Sequence, residues 1–272
     1  MPIVKNLTAA LPEPETIDLE ALRADLKDGS VELVCVLGPT ASGKTRYAVQ
    51  LAHALGDGAE IISADSRQVY RRMDIGTGKD LAEYGDVPYH LIDIAEPGTQ
   101  YNVFRFREDF FRAYDDIRSR GGIPILCGGT GLYINAVTGG YDFKEHKPLS
   151  AAPQVPAADA PKTFFIGTLV SREVRNARID ARLDARLQEG MIDEIKGLLD
   201  SGVPAETLIS YGLEYKFVTL YLTGQTDYAA MREHLAIAIH QFAKRQMTWF
   251  RGMERSGVRI HWVLPDSSLR PE

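Results

Sequence analysis

No run of about 18 consecutive apolar residues occurs in the 272-residue chain, which excludes a membrane-spanning helix of ordinary length. A signal peptide is excluded as well, because MPIVKNLTAALPEPE carries acid and proline where the apolar segment would lie. The expectation is a soluble cytoplasmic monomer with no membrane partner. Only two cysteines are present, Cys35 and Cys127, each inside a short apolar run just before a glycine-rich turn, so they read as buried thiols and not as a disulfide or a nucleophile. Six histidines are scattered without an HxxxH pair, which leaves no structural zinc signature. Excess positive charge is also lacking. A net charge of -6 argues against bulk electrostatic capture of nucleic acid, although local basic patches can still do that work. There is no internal repeat.

What is present is a core's worth of apolar residues, 44% of the chain, arranged as short runs alternating with helical patterns. TIDLEALRADLKDG, with Leu19, Leu22 and Leu26 at helical spacing, reads as a lead-in helix within residues 1–30. The segment 31–141 follows as VELVCVL, a helix from about Lys44 to Leu55, AEIISA, YHLIDI, a helix from about Asn102 to Arg120, IPILC, and a helix from about Gly131. Strands alternating with helices predict an α/β fold, a P-loop NTPase-like parallel sheet flanked by helices. Residues 142–162, rich in proline and alanine, suit an extended linker and not a folded element. The remainder, 163–272, returns with the buried strand TFFIGTLV, C-terminal helices over about 171–200, 211–223 and 228–255, and a last edge strand RIHWVL.

GPTASGKT, residues 38–45, matches the GxxxxGKT phosphate loop and lies between a strand and a helix, where its mechanism requires it. Gly38, Ser42, Gly43 and Lys44 are then candidates for binding a di- or triphosphate: backbone amides point at the phosphate, the helix dipole adds to them, and Lys44 neutralises charge. Thr45 would bind Mg2+ through its hydroxyl. The pattern leaves open whether a P–O or a C–O bond breaks. Phosphoryl transfer asks for a carboxylate ending a later strand. Asp93 in LIDI offers one, but IPILCGGT ends without any. Asp65 falls just beyond AEIISA, at the carboxyl edge where such sheets bind ligands. It can serve as metal ligand, as general base, or as N-cap of a helix through RQVYRRM.

Taken in order, GPTASGKT, DSRQVYRRMDIGTGKD, HLIDI with FRFRED, GGTGLY and AKRQMTWFR together resemble the tRNA dimethylallyltransferase (isopentenyl transferase) family, over about residues 33–142 and 164–255. The resemblance implies that the phosphate loop holds dimethylallyl diphosphate and that the prenyl group moves to N6 of an adenine. Asp65 would accept a hydrogen bond from N6 and act as general base, with Ser66, Arg67 and Gln68 along the adenine edge. Thr40 would face the reacting carbon or bridging oxygen. SREVRNARIDARLDARLQEGM matches the family's RIxxR helix, which makes Arg178 and Arg182 the arginines for the leaving pyrophosphate. Arg175 and Arg186 continue the stripe, and the alternative for the whole stripe is the solvated face of a packed helix. Thr130 in GGTGLY would lie near the acceptor or simply cap its turn. In AKRQMTWFRGMER the basic residues recur on one helical face, suited to RNA phosphates, and Lys244, Arg245 and Gln246 fall on the acceptor side; Trp249 and Phe250 read as core. Lys79 in GTGKD reads as a solvated lysine, with phosphate contact as the alternative.

Two departures from the family stand out. Where long members carry a helical insertion that grips the anticodon arm, this chain has only residues 142–162. The family's Gly-Tyr-Lys/Arg segment reads Glu214-Tyr215-Lys216, with Gly212 nearby. Three functions therefore stand at this point: prenylation of the adenosine next to the anticodon of tRNA by a short-form enzyme, prenylation of a free adenine nucleotide (AMP, ADP or ATP), and a P-loop kinase or nucleotide-binding module.

Overall fold

The computed structural model describes residues 11–56, 58–139, 141–142, 147–148 and 160–265. In chain order its elements are α1 (Leu19–Asp28), β1 (Leu33–Leu37), α2 (Lys44–Leu55), β2 (Ala59–Ser63), a 3-10 turn (Leu81–Tyr84), β3 (Tyr89–His90), α3 (Val103–Ser119), β4 (Ile123–Gly128), α4 (Gly131–Thr138), β5 (Tyr141–Asp142), β6 (Lys147–Pro148), β7 (Thr163–Thr168), α5 (Arg172–Glu189), α6 (Met191–Asp200), α7 (Ala205–Ser210), α8 (Leu213–Leu222), α9 (Tyr228–Arg255) and β8 (Ile260–Val263). Among the described residues no helix is long and apolar enough to cross a membrane.

Six strands form one parallel sheet in the order β3-β2-β4-β1-β7-β8. β1 is buried along its whole length between β4 and β7. Its apolar run does not alternate because both faces are covered, as parallel strands require. Val34, Val36, Tyr47 and Leu51 pack with α1 on one face, while Cys35, Leu37, Phe106, Phe110 and Trp262 pack on the other. Each fully buried large side chain there contributes roughly 1.5–3 kcal/mol by leaving water. Leu37 pairs in register with Gly128 and with Gly167. The loops leaving β1, β4 and β7 therefore emerge level with one another at the carboxyl edge. A third apolar cluster, including Met73, Ile179, Leu183, Tyr215, Met231 and Leu235, packs α5, α8 and α9 over the segment after β2. α9 joins both regions, since Phe250 and Met253 belong to the sheet's cluster and Met231 and Leu235 to the helical one.

Several expectations are corrected in detail. The helix read over 171–200 is two, α5 and α6, because Gly190 adopts φ +105, a left-handed value that glycine accommodates at a helix end. α7 has too few residues to show a period in the sequence. YHLIDI yields only Tyr89–His90 as strand, since the backbone turns at Leu91 and Asp93, both with positive φ. RQVYRRM forms turns and not a helix, so Asp65 is not a helix cap. Of the 142–162 segment, Asp142 and Lys147–Pro148 take part in a two-stranded antiparallel ladder with Tyr141. The rest of that segment up to residue 159 lies outside the described residues.

Candidate functional site

The phosphate loop leaves β1 after Leu37 and is fixed from three sides. Ser42 is fully buried and shares a 2.7 Å hydrogen bond with the Thr168 hydroxyl at the end of β7. The Thr40 amide donates to Oε1 of Gln246 at 2.8 Å, and Nε2 of Gln246 donates to the Gly129 carbonyl at 3.0 Å. Gln246 thus ties the phosphate loop to the GGTGLY turn. Each atom of its amide thus gives one of its two hydrogen-bonding positions to backbone. From α5, Nη2 of Arg182 donates to Oγ1 of Thr40 at 2.6 Å. Since that hydroxyl oxygen already accepts from Arg182, its own proton is turned elsewhere, free for a ligand oxygen.

A cleft of about 260 Å3 opens beside this loop, lined among others by Lys44, Thr45, Asp65, Arg178, Arg182 and Arg186. Burial takes the Lys44 ammonium from water and lowers its pKa, an effect that Cys127 and Asp65 partly offset. Burial likewise pulls the Arg182 guanidinium down to about 10, helped by repulsion from Arg186. The arginines at 178, 182 and 186 line this cleft, but Arg178 is exposed, so the solvated-face alternative is set aside only for half-buried Arg182 and buried Arg186; Arg175 turns to a different groove.

Asp65 stands on the far side of the same cleft. β2 and β1 flank β4 in the sheet, so the ends of these strands are two strand spacings apart, roughly 10 Å. Oδ1 of Asp65 accepts the Arg67 amide at 2.9 Å, closing an Asx turn that fixes the carboxylate's direction. The Ser66 amide donates to Oγ1 of Thr130 at 3.1 Å, and Thr130 makes no side-chain cap bond to its own helix. Its hydroxyl joins the GGTGLY turn to the Asp65 loop instead. Gln68 is held within the loop, donating to the Gly78 carbonyl at 3.1 Å. Arg67 turns away to a buried ion pair with Glu214, 2.5 Å apart, over the ring of Phe242.

Other expected residues lie elsewhere. Lys79 is 2% exposed, and its ammonium is held by the Tyr70 carbonyl at 2.7 Å, Asp74 at 2.6 Å and Asp93. The solvated lysine read from the sequence is thus a buried internal cation, and Asp93 is its partner. Lys244 lines a second groove of about 900 Å3 with Arg172, Arg175, Thr248 and Arg251. Its neighbour Arg245 lies over the outer side of the Phe242 ring, 5.9 Å from its centre. Phe250 is fully buried and Trp249 packs against the same core. Arg186, Glu214 and Phe242 line the cleft without having been singled out for it. Arg186 carried a usable signal, its place two turns after Arg178 on one helical stripe, and Phe242 stands one turn before Gln246. Glu214 carried none.

Comparison with known proteins follows the same lines. The family model described as IPP transferase matches residues 68–160 and 142–253, and that described as isopentenyl transferase matches 31–84. The tRNA dimethylallyltransferase 1 of Parabacteroides distasonis is 47% identical, with 89% of this chain and 95% of that protein covered. That of Porphyromonas gingivalis is 50% identical over 85% of this chain and 93% of its own. Among solved structures, the tRNA isopentenylpyrophosphate transferase of Bacillus halodurans superposes with a TM-score of 0.74 at 30% identity, covering 86% of this chain and 89% of that one. The tRNA delta(2)-isopentenylpyrophosphate transferase of Staphylococcus epidermidis gives 0.75 at 28% identity, with 86% and 93% covered.

Proposed function

The chain belongs to the IPP transferase family, and from that premise we propose that it transfers a dimethylallyl group from dimethylallyl diphosphate to N6 of the adenosine next to the anticodon of tRNA. The observation that carries the chemistry is the pairing, across one cleft, of a phosphate loop backed by arginines with a carboxylate, that of Asp65, whose direction is fixed by an Asx turn. The donor's diphosphate lies on the amides of Ser42, Gly43 and Lys44, with the Lys44 ammonium and the Arg178 and Arg182 guanidiniums around it. The adenine amine faces Asp65. As the N6–C bond forms, the N6 proton passes to Asp65 and the electron pair of the C–O bond leaves with pyrophosphate. The Thr40 hydroxyl, oriented by Arg182, donates to the bridging oxygen as charge builds there.

Among the described residues no group of three His, Cys, Asp or Glu side chains is arranged to hold an ion. The Thr45 hydroxyl in the cleft wall is a donor that fits Mg2+, which keeps several waters and takes substrate oxygens plus one or two protein ligands. Thr45 would hold it through its hydroxyl. Bound there, Mg2+ would supply positive charge to the diphosphate.

Two observations favour tRNA over a free nucleotide. The Parabacteroides and Porphyromonas relatives, matched over nearly their whole length, carry tRNA dimethylallyltransferase names. The second groove offers Arg172, Arg175, Lys244 and Arg251 on one surface, beyond what a single nucleotide requires. The kinase alternative loses its remaining support, because β4 ends in Cys127 and Gly128 and Asp93 is taken by Lys79. The alignment with the Parabacteroides enzyme runs over 295 residues, longer than this chain, so that enzyme carries residues with no counterpart here. The two IPP transferase matches overlap at 142–160, which supports placing the shortening there. The enzyme is thus a short form that works in the cytoplasm, gripping RNA with its core, α5 and α9.

The test is incubation with Mg2+, labelled dimethylallyl diphosphate, and either unmodified tRNA or AMP, ADP and ATP. Label is expected in tRNA. Label in the free nucleotides alone would overturn the acceptor, and ATP turnover without prenyl transfer would overturn the chemistry.

A further inference from the structure

The cleft contains one cation for which the mechanism above has no use. Arg186 is 6% exposed, and its Nη2 atom is enclosed without a hydrogen-bond partner. The carboxylate paired with it, that of Asp80, lies 3.6 Å from Nη2, outside hydrogen-bonding range, and is itself half exposed. A guanidinium withdrawn from water and left short of acceptors is costly to keep. The fold nonetheless makes room for it. A Cβ at Gly78, where φ is +62, would stand 1.7 Å from Nη2 and 2.4 Å from Cζ. Only a residue without a side chain lets this guanidinium lie against the turn.

Its neighbours sharpen the point. Arg182, one turn earlier on α5, is half-buried, and Arg186 is the strongest charged influence on it. Two like charges therefore repel at the mouth of the phosphate loop, which Arg182 touches through Thr40. The other cations of the cleft wall are already neutralised, Arg67 by Glu214 and Lys79 by Asp74 and Asp93. Arg182 and Arg186 together are matched to a ligand with at least two negative charges, and a diphosphate supplies them with several acceptor oxygens.

We propose that Arg186 is a further diphosphate-binding residue, which leaves Asp80 for the phosphate oxygens of the prenyl donor and holds the pyrophosphate once the C–O bond has broken. This rests on the reading of the phosphate loop as the donor site. Calorimetric titration of the full-length protein with pyrophosphate and Mg2+ tests it, alongside steady-state kinetics in both substrates. Arg186→Met is expected to weaken pyrophosphate binding about tenfold or more, as loss of a charged hydrogen bond does, and to raise KM for the donor while leaving KM for tRNA unchanged. If the methionine variant does not fold, Arg186→Gln, whose amide still reaches a carboxylate, decides by the same comparison. Wild-type pyrophosphate affinity in whichever variant folds would overturn the proposal and make Arg186 a counter-ion for Asp80 alone. Failure of the unaltered protein to bind pyrophosphate would instead overturn the donor-site reading beneath it.

Discussion

Replacing Gln246 by leucine removes the link between the phosphate loop and the GGTGLY turn while nearly preserving volume. Its amide accepts from Thr40 N at 2.8 Å and donates to Gly129 O at 3.0 Å, and the residue is 7% exposed. Water therefore has little access to the two backbone groups left behind. Each such orphan costs about 1–3 kcal/mol, so the variant should lose roughly 2–5 kcal/mol of stability. For a chain of this size that is a fall in Tm of roughly 5–15 °C. Urea unfolding and a thermal scan measure it, and amide exchange at Thr40 should quicken before that of β1 does. Donor KM should rise, because Thr40 and the amides beyond it are no longer held in place. Gln246→Glu separates geometry from charge: its carboxylate still accepts from Thr40 N, but it repels the Gly129 carbonyl and the incoming diphosphate. A leucine variant with Tm within about 1 °C of the parent and unchanged donor KM would refute the reasoning.

Further expectations concern other parts of the molecule. Asp65→Asn should lower kcat by about 10²–10⁴, the range for loss of a general base, with pyrophosphate affinity retained; near-normal turnover would reduce Asp65 to a turn-former. Lys79→Met removes a buried ammonium whose carboxylate partners reach solvent, and should cost about 1.5–3 kcal/mol in urea unfolding, as loss of hydrogen bonds to a charged group does, an outcome that a solvated lysine would not give. The Arg120 hydrogen bond, aided by His90, holds the Glu60 carboxyl below its ordinary value against the opposing effect of burial. Its stabilisation is thus present above the unfolded carboxyl's pKa of about 4.3 and is lost as pH falls through the folded value. Unfolding midpoints compared at neutral and acid pH should show a smaller acid loss in Glu60→Gln than in the parent. Burial raises the pKa of both thiols, that of Cys127 to about 12, although Lys44 partly opposes it there. A thiol reagent at pH 8 should label neither cysteine in the native protein and both in denaturant.

How much of this was legible in the sequence depends on the range of the interactions. The phosphate loop, the strand before it and the helix after it are set by neighbouring residues, so GPTASGKT located the loop directly. The Asn102 cap, which accepts from the Phe104 and Arg105 amides, was similarly local. Gln246 was not, because its partners lie 206 and 117 positions away in the chain. Lys79 misled for a related reason. A lysine in GTGKD looks solvated until the positive-φ turn at Asp93 brings a carboxylate beneath it. Glu214 looked like a defect in a family motif, and its function as the buried partner of Arg67 appears only once α8 packs across the loop after β2.

That pairing explains how a chain of net charge -6 manages an anionic substrate. Cations placed evenly around the cleft would attract diphosphate but give it no preferred orientation. Here Glu214 cancels Arg67 beside Asp65, and Asp74 and Asp93 cancel Lys79, while Lys44, Arg182 and Arg186 line the phosphate-loop side. The field therefore points from the α5 arginines toward the Asp65 carboxylate. In a prenyl transfer negative charge grows on the departing pyrophosphate and positive charge on the allyl carbon beside the amine, so a preorganised field of this sense stabilises the transition state more than the bound substrate. Glu214→Gln would release the Arg67 charge at the wrong end. It should depress kcat while leaving donor binding nearly unchanged, and Arg67→Met in the same chain should restore much of the rate. If the double variant is no faster than Glu214→Gln alone, the neutralisation argument fails and Glu214 acts only in packing.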